Sequence, residues 1–214
     1  MSNFGSWEVN VSTSGYPQKV ASALSGLSDK LIGVEYKAIA YLGKQSVNGI
    51  NHAVLAEQTV LSGKDTKNVV VLIFNEKPND MEATLVNIER VVESGGELGG
   101  IQVDVTTDIP EEASKALTDV LHGFVGTDLK PFAYLGSQVT KGTNHIFAAE
   151  VAPVVKDPKV SVAIVIANSL TGELSFTDML GTKNDALQLG YAFTWLKRQN
   201  TSLNGPLGEW PWFD

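Results

Sequence analysis

Residues 41–57 read Tyr-Leu-Gly-Lys-Gln-Ser-Val-Asn-Gly-Ile-Asn-His-Ala-Val-Leu-Ala-Glu, and residues 134–150 read Tyr-Leu-Gly-Ser-Gln-Val-Thr-Lys-Gly-Thr-Asn-His-Ile-Phe-Ala-Ala-Glu. Nine of these seventeen positions are identical without a gap. The same offset of 93 residues relates Pro17 to Pro110, Leu24 to Leu117 and Gly33 to Gly126. A fixed offset predicts one small fold present twice. In each copy a central glycine, Gly49 or Gly142, supplies the positive φ that a tight hairpin turn needs, and the flanking runs supply its strands.

The rest of the chain falls into place around these hairpins. Trp7, Val9 and Val11 alternate with polar residues, as do Ile101, Val103 and Val105, so each copy opens with a half-buried strand. Pro17 and Pro110 suit the first turn of a helix. One helix carries Val20, Leu24, Leu27 and Leu31 on a single face, and the other carries Ala113, Leu117, Val120, Leu121 and Phe124. Glu111 and Glu112 suit the positive end of the second helix, and Gly33 and Gly126 are expected to stop the two.

Strands are then expected over 35–45, 51–61, 68–74 and 82–92, and again over 128–138, 144–155, 159–167 and 173–180. The connections 75–80 and 168–172 are rich in turn residues. A strand, a helix and four hairpin-linked strands predict an α+β fold: two tandem units, each one helix across a four- to five-stranded antiparallel sheet. The boundary is expected near residue 95, in Gly95-Gly96-Glu97-Leu98-Gly99-Gly100, which gives domains over 1–95 and 96–214. From about 181 an extension has no counterpart in the first unit. Asn184-Asp185 would cap a helix over 186–198, and the tail carries Trp210, Trp212 and Phe213.

Residues 69–74 and 160–167 are apolar on both faces, whereas a sheet with one covered face alternates. Something must cover the second face: the other unit, the C-terminal extension, or a second copy of the chain in a homodimer.

The 214 residues carry a formal charge of −8. Residues 1–95 hold 8 basic and 10 acidic side chains, and residues 96–214 hold 8 and 14. Neither half offers the Lys/Arg clusters that bind phosphate backbones or anionic lipid, so no nucleic-acid or membrane partner is expected. The apolar runs are far shorter than the roughly 20 residues of a membrane helix, and no secretory signal is visible, so a soluble protein is expected. The chain has no cysteine, which excludes disulfides and a thiol nucleophile.

Residues with chemistry to offer do not converge. His52 and His145 occupy equivalent positions, His122 falls in the second helix, and no pair has ligand spacing, so no metal or cofactor is expected. Glu57 and Glu150 recur within strands, as solvated or interdomain carboxylates. No nucleophile elbow, phosphate loop or dinucleotide fingerprint is present, and no enzyme activity is expected.

The hairpin turns carry a more specific signal. Gln45-Ser46-Val47-Asn48-Gly49 and Gln138-Val139-Thr140-Lys141-Gly142 follow the pattern Gln-x-Val-x-Gly or its degenerate form, in the first hairpin after a helix. With the continuations Gly49-Ile50-Asn51-His52 and Gly142-Thr143-Asn144-His145, each unit resembles the cystatin family of papain-like cysteine-protease inhibitors. The resemblance implies a wedge of three segments that plugs the protease cleft. Phe4-Gly5 and Leu98-Gly99-Gly100 stand in the first place, and the two Gln-to-Gly loops in the second. The third, a Pro-Trp in the second hairpin, is missing from both units. The expected partner is therefore a papain-like cysteine protease, or another protein if the units are non-inhibitory binding or structural modules. Unit one, with Val47 and its own Phe4-Gly5, is the expected wedge.

Overall fold

The structure, a computed structural model, describes residues 5–62, 66–95, 99–122, 124 and 126–182. Phe4, Leu98, the expected helix over 186–198 and the aromatic tail lie outside the described residues. The first half comprises β1 (Trp7–Ser12), α1 (Gln18–Ser25), a short helical turn α2 (Leu27–Lys30), β2 (Val34–Val47), β3 (Gly49–Val60), β4 (Thr66–Glu76) and β5 (Thr84–Glu93). The second comprises β6 (Ile101–Thr106), α3 (Glu111–Leu121), β7 (Thr127–Thr140), β8 (Gly142–Pro153), β9 (Ser161–Asn168) and β10 (Leu174–Asp178). Each half forms one antiparallel five-stranded sheet, ordered β1-β2-β3-β4-β5 and β6-β7-β8-β9-β10.

Contacts recur at the 93-residue offset. Both long first-hairpin strands bulge twice, between Ala38 and Ala40 and between Tyr41 and Gly43 in β2, and between Pro131 and Ala133 and between Tyr134 and Gly136 in β7. At the second bulge the first strand of the half crosses so closely that no side chain fits. A Cβ on Gly43 would lie 3.1 Å from Val9 Cα, and one on Gly136 would lie 3.0 Å from Val103 Cα. The extra residues bend these strands and twist the sheet locally.

The helices differ from expectation in detail. Pro17 and Pro110 occupy the N-cap positions of α1 and α3, one residue before the first turn. The first helix is broken at Gly26, so Val20 and Leu27, both buried, belong to separate pieces. Gly33 and Gly126 do not cap helices. They open β2 and β7 with φ of +83° and +92°, and their carbonyls accept the Leu61 and Val154 amides at 2.9 Å. A glycine is required there by the strand entry, a role that sequence spacing does not separate from helix termination.

Both faces of the central strands of each sheet are covered, while β5 stays largely exposed, with Val86 and Ile88 in solvent. On the outer faces α1 and α2 pack on Tyr41, Val54, Val70, Leu72 and Phe74, while α3 packs on Phe147, Val151, Val165 and Phe176. The inner faces meet each other. Leu42, Leu55, Val69 and Val71 of one sheet share a single buried cluster with Leu135, Ile146, Val162 and Ile164 of the other. The result is helix, sheet, sheet, helix, with the most apolar layer at the centre. Of the covers expected for the second face, the structure supplies the other half of the chain. Glu57 faces this side too, nearly buried, with its carboxylate 3.2 Å from Lys67 Nζ.

The halves run in opposite senses. Gly95, just past the end of β5, donates to the Ile101 carbonyl at the start of β6 at 3.1 Å. At the other end Gly5, Trp7 and Gln45 line a cleft with Lys159, Leu180 and Thr182, which bracket β9 and β10. The β2–β3 turn thus lies beside the far end of half two, and the β7–β8 turn beside the far end of half one.

Candidate functional site

The topology gathers three segments at one end of each sheet. Because β1 is antiparallel to β2 with Trp7 opposite Gln45, its beginning lies beside the β2–β3 turn. Antiparallel β4 and β5 bring their own turn to the same end. Half two repeats this with Ile101 opposite Gln138. The segments that sequence reasoning nominated from three separate places are therefore neighbours: Gly5, residues 45–49 and the β4–β5 turn in one half, and Gly99, residues 138–142 and the β9–β10 turn in the other.

Side-chain amides stitch each end together. In half one Gln45 Nε2 donates to the Gly5 carbonyl at 2.8 Å, Asn51 Nδ2 to Gln45 Oε1 at 3.0 Å, and Asn75 Nδ2 to Asn51 Oδ1 at 2.8 Å. In half two Gln138 donates to Gly99 at 2.8 Å, Asn144 to Gln138 at 3.0 Å and Asn168 to Asn144 at 2.8 Å. This chain crosses four strands or their termini, so the glutamine of the turn motif is engaged within the protein. The Gly5 amide adds a bond to the Ser46 carbonyl at 3.0 Å. Sequence reasoning missed Asn75 and Asn168. Their 93-residue spacing was available as a signal, but the strand register was needed to bring them to the glutamines.

The turn glycines are also set by packing. Gly49 has φ +98°, and a Cβ there would lie 2.5 Å from the Glu76 carbonyl oxygen. Gly142 has φ +88°, and a Cβ would lie 2.5 Å from Leu170 Cβ. Each glycine thus lets two turns of one sheet end approach closely.

The two ends differ in what they show to solvent. In half one Ser46 and Val47 are half-buried and Asn48 is exposed. In half two Thr140 and Lys141 are exposed, Val139 is 68% exposed, and Leu170 in the neighbouring turn is 66% exposed. Residues 93 earlier are Ser46 and Lys77, and half one instead exposes Met81 (93%) on its longer β4–β5 turn and Ile50 (37%) beside its β2–β3 turn.

Beneath the turns each half holds a Tyr–His pair. Tyr41 Oη lies 2.9 Å from His52 Nδ1, and His52 Nε2 lies 3.2 Å from Glu76. Glu76 also pairs with Lys19 of α1 at 3.0 Å. A neutral imidazole with its proton on Nε2 satisfies both partners, donating to the carboxylate and accepting the Tyr41 hydroxyl. Burial holds His52 below its ordinary pKa, opposed by the Glu76 hydrogen bond, and lifts Tyr41 to about 12 with help from Glu8 and Glu76. The Lys19 ammonium, above all, keeps the Glu76 carboxyl below its ordinary range. Half two keeps Tyr134 and His145 at 3.4 Å, but Glu112 and Ser169 stand where half one has Lys19 and Glu76. His145 is likewise held low by burial, with Glu112 opposing.

Two grooves complete the picture. One of about 500 Å³ runs across the loop end of half one between the sheets, lined by Trp7, Asn51, Ile73, Val86 and Glu89 with Asp178 to Gly181 opposite. Another of about 280 Å³ lies between the first helix and β5, floored by Leu27, Phe74 and Ala83. Among the described residues no three His, Asp or Glu side chains are grouped to hold a metal ion, and no helix is long and apolar enough to cross a membrane. No protein-family model, curated protein or solved structure matches the chain.

Proposed function

We propose that the protein is a reversible, non-catalytic inhibitor that fits the loop end of one of its sheets into the cleft of a papain-like cysteine protease. The observation that carries this reading is the convergence of three separate segments into one hydrogen-bonded edge. Edges of this kind present backbone groups and turn side chains to a cleft without offering an extended peptide bond to the nucleophile. The cystatin resemblance supplies the protease class, and the turn motif in the first hairpin after each helix is what supports it. Inhibition is by occlusion, so no residue of this chain takes part in chemistry.

The test is titration of papain and related proteases with the purified full chain. Progressive, reversible loss of hydrolysis that competes with substrate is expected. Full activity at high micromolar inhibitor would defeat the reading.

A second reading is favoured by a separate observation. Each loop end abuts the far end of the other half, at Lys159 and Thr182 beside Gly5 and at Gly95 beside Ile101. A non-inhibitory protein-binding module, in which that flanking mass keeps the edge out of a deep cleft, accounts for it. Such a module would bind an open protein surface and leave protease activity untouched.

A further inference from the structure

We infer that the interaction surface of this protein is the loop end of half two, centred on Val139 and Leu170, and that it fits an apolar cleft with an acidic lip. The inference rests on the proposed function and reverses the preference for half one that the turn motif alone suggests.

Exposure is the first observation. Two branched aliphatic side chains, 68% and 66% exposed, stand on adjacent turns of one sheet end. Isolated exposed aliphatics are ordinary, but a pair on neighbouring tips presents a contact patch.

Rigidity is the second. Asn168 is 4% exposed and ties both turns together. Its Nδ2 reaches Asn144 Oδ1 at 2.8 Å, and Thr140 Oγ1 and the Lys141 carbonyl at 3.3 Å each. Its Oδ1 accepts the amides of Leu170 at 2.9 Å and Thr171 at 2.7 Å. Thr143 and Ser169 add reciprocal bonds, amide to Ser169 Oγ at 3.1 Å and amide to the Thr143 carbonyl at 2.9 Å. The backbone carrying both apolar side chains is therefore fixed before any partner arrives, which removes much of the ordering cost of association.

Half one lacks this arrangement. The β4–β5 connection spans residues 77–83 against 169–173 in half two, and Asn75 reaches the neighbouring turn through one long bond, to the Asn48 carbonyl at 3.4 Å. Ser46 and Lys77 occupy the places of Val139 and Leu170, and the apolar side chain that half one does expose on its second turn, Met81 at 93%, sits on that longer connection.

Charge is the third. Lys141 is exposed at the tip, and no ion pair to it is present among the described residues, on a chain of net charge −8. A carboxylate on the partner's rim would complement it and orient the encounter.

The experiment uses papain whose active-site thiol has been carboxymethylated, so that binding is measured apart from inhibition. Calorimetric titration compares the wild-type full chain with Val139→Ser/Leu170→Ser, Lys141→Glu and Val47→Asp. The double variant is expected to weaken binding about 100-fold, from the loss of two buried aliphatic contacts. Lys141→Glu is expected to weaken it about tenfold, and Val47→Asp to keep the wild-type affinity. Thermal melts should be unchanged for the double variant, because both side chains are exposed. If Val47→Asp abolishes binding while the double variant does not weaken it, the surface belongs to half one: this inference falls and the proposed function stands. Absence of binding by the wild type overturns both.

Discussion

Gly136→Ala tests whether the bulged hairpin strand is held as closely against β6 as the backbone geometry requires. Gly136 has φ +144°, a conformation that L-residues rarely adopt and that itself costs about 1–3 kcal/mol for alanine. The new methyl would also lie 3.0 Å from both the Gln102 carbonyl carbon and Val103 Cα, and nearer still to the Gln102 oxygen. Backbone atoms of a paired strand cannot swing aside, so β6 must separate from β7 around Val103, adding a few kcal/mol of lost pairing and packing. A total of about 3–5 kcal/mol is a large part of the 5–15 kcal/mol typical of a whole protein. Urea denaturation of the wild type and of Gly136→Ala measures it, with Gly99→Ala as the comparison. Gly99 also has positive φ, +86°, but a Cβ there would meet nothing closer than the Val139 carbonyl at 3.8 Å, so only the strain of about 1–2 kcal/mol applies. Equal losses for the two variants, or a loss below 1 kcal/mol for Gly136→Ala, would refute the argument that close approach fixes this glycine.

Other perturbations follow from the same contacts. Asn168→Ala strands two amide donors and three acceptors at the tip of half two and should lower stability by about 2–3 kcal/mol; Asn75→Ala, at a half-buried and less connected position, should lower it by about 1 kcal/mol, and the reverse order by urea titration would contradict the hub assignment. Burial lowers the pKa of both His52 and His145, so as the pH falls through the ordinary histidine value of 6.5 the unfolded chain binds protons more readily than the folded one. Stability should therefore be level above pH 6.5 and fall as the pH drops below it, with depressed Glu76 adding loss of the same sign around and below pH 4.5. Denaturation midpoints from pH 4 to 8 would show this, and His52→Gln/His145→Gln should flatten the upper part of the slope. Leu31→Phe should raise stability by up to about 1 kcal/mol by entering the groove of about 280 Å³; in half two Phe124, 93 residues later, already lies 5.9 Å from Phe176, centroid to centroid. A drop in the melting temperature would show that the groove cannot take a ring.

The strands were legible because their signal is local. Trp7, Val9 and Val11 alternate, and the hairpin residues repeat with enough identity to fix the turns. The second apolar face at residues 69–74 and 160–167 correctly demanded a cover, but the choice of cover depends on how the halves fold against each other, which no periodicity encodes. Gly33 and Gly126 illustrate a different limit: a glycine after a helix and a glycine before a strand look alike when only one residue string is available. The site was legible to the same degree. Gln45 and Gln138 were picked out by motif, yet their partners Gly5, Asn51, Gly99 and Asn144 come from strand pairing. Asn168 and Leu170, on which the tip of half two depends, lie at and just beyond the end of β9, in a stretch whose composition reads as ordinary turn chemistry. Only register makes Asn168 a hub, and only the tight contact with Gly142 gives Leu170 a fixed place.

Opposed orientation of the halves sets the stoichiometry that binding must show. The loop ends point away from each other, so a single cleft cannot engage both, and two equal ends would recruit two partners per chain. The ends are not equal. Half one offers half-buried Val47 with Ser46 and Lys77, and an exposed Met81 on a longer turn that Asn75 approaches through one long bond, whereas half two offers exposed Val139 and Leu170 on turns locked by Asn168. Burying two aliphatic side chains on turns that are already fixed contributes several kcal/mol without the ordering cost that Met81, on its longer turn, would add, and this separates the intrinsic affinities of the ends by about two orders of magnitude. A partner present at a concentration that saturates half two therefore leaves half one empty. Light scattering of the chain mixed with a twofold excess of carboxymethylated papain should give the mass of one chain and one protease, with the excess eluting free. A complex with two proteases would show that exposed apolar tips are not what selects the binding end, and that the shared amide chain from Gln45 or Gln138 matters more.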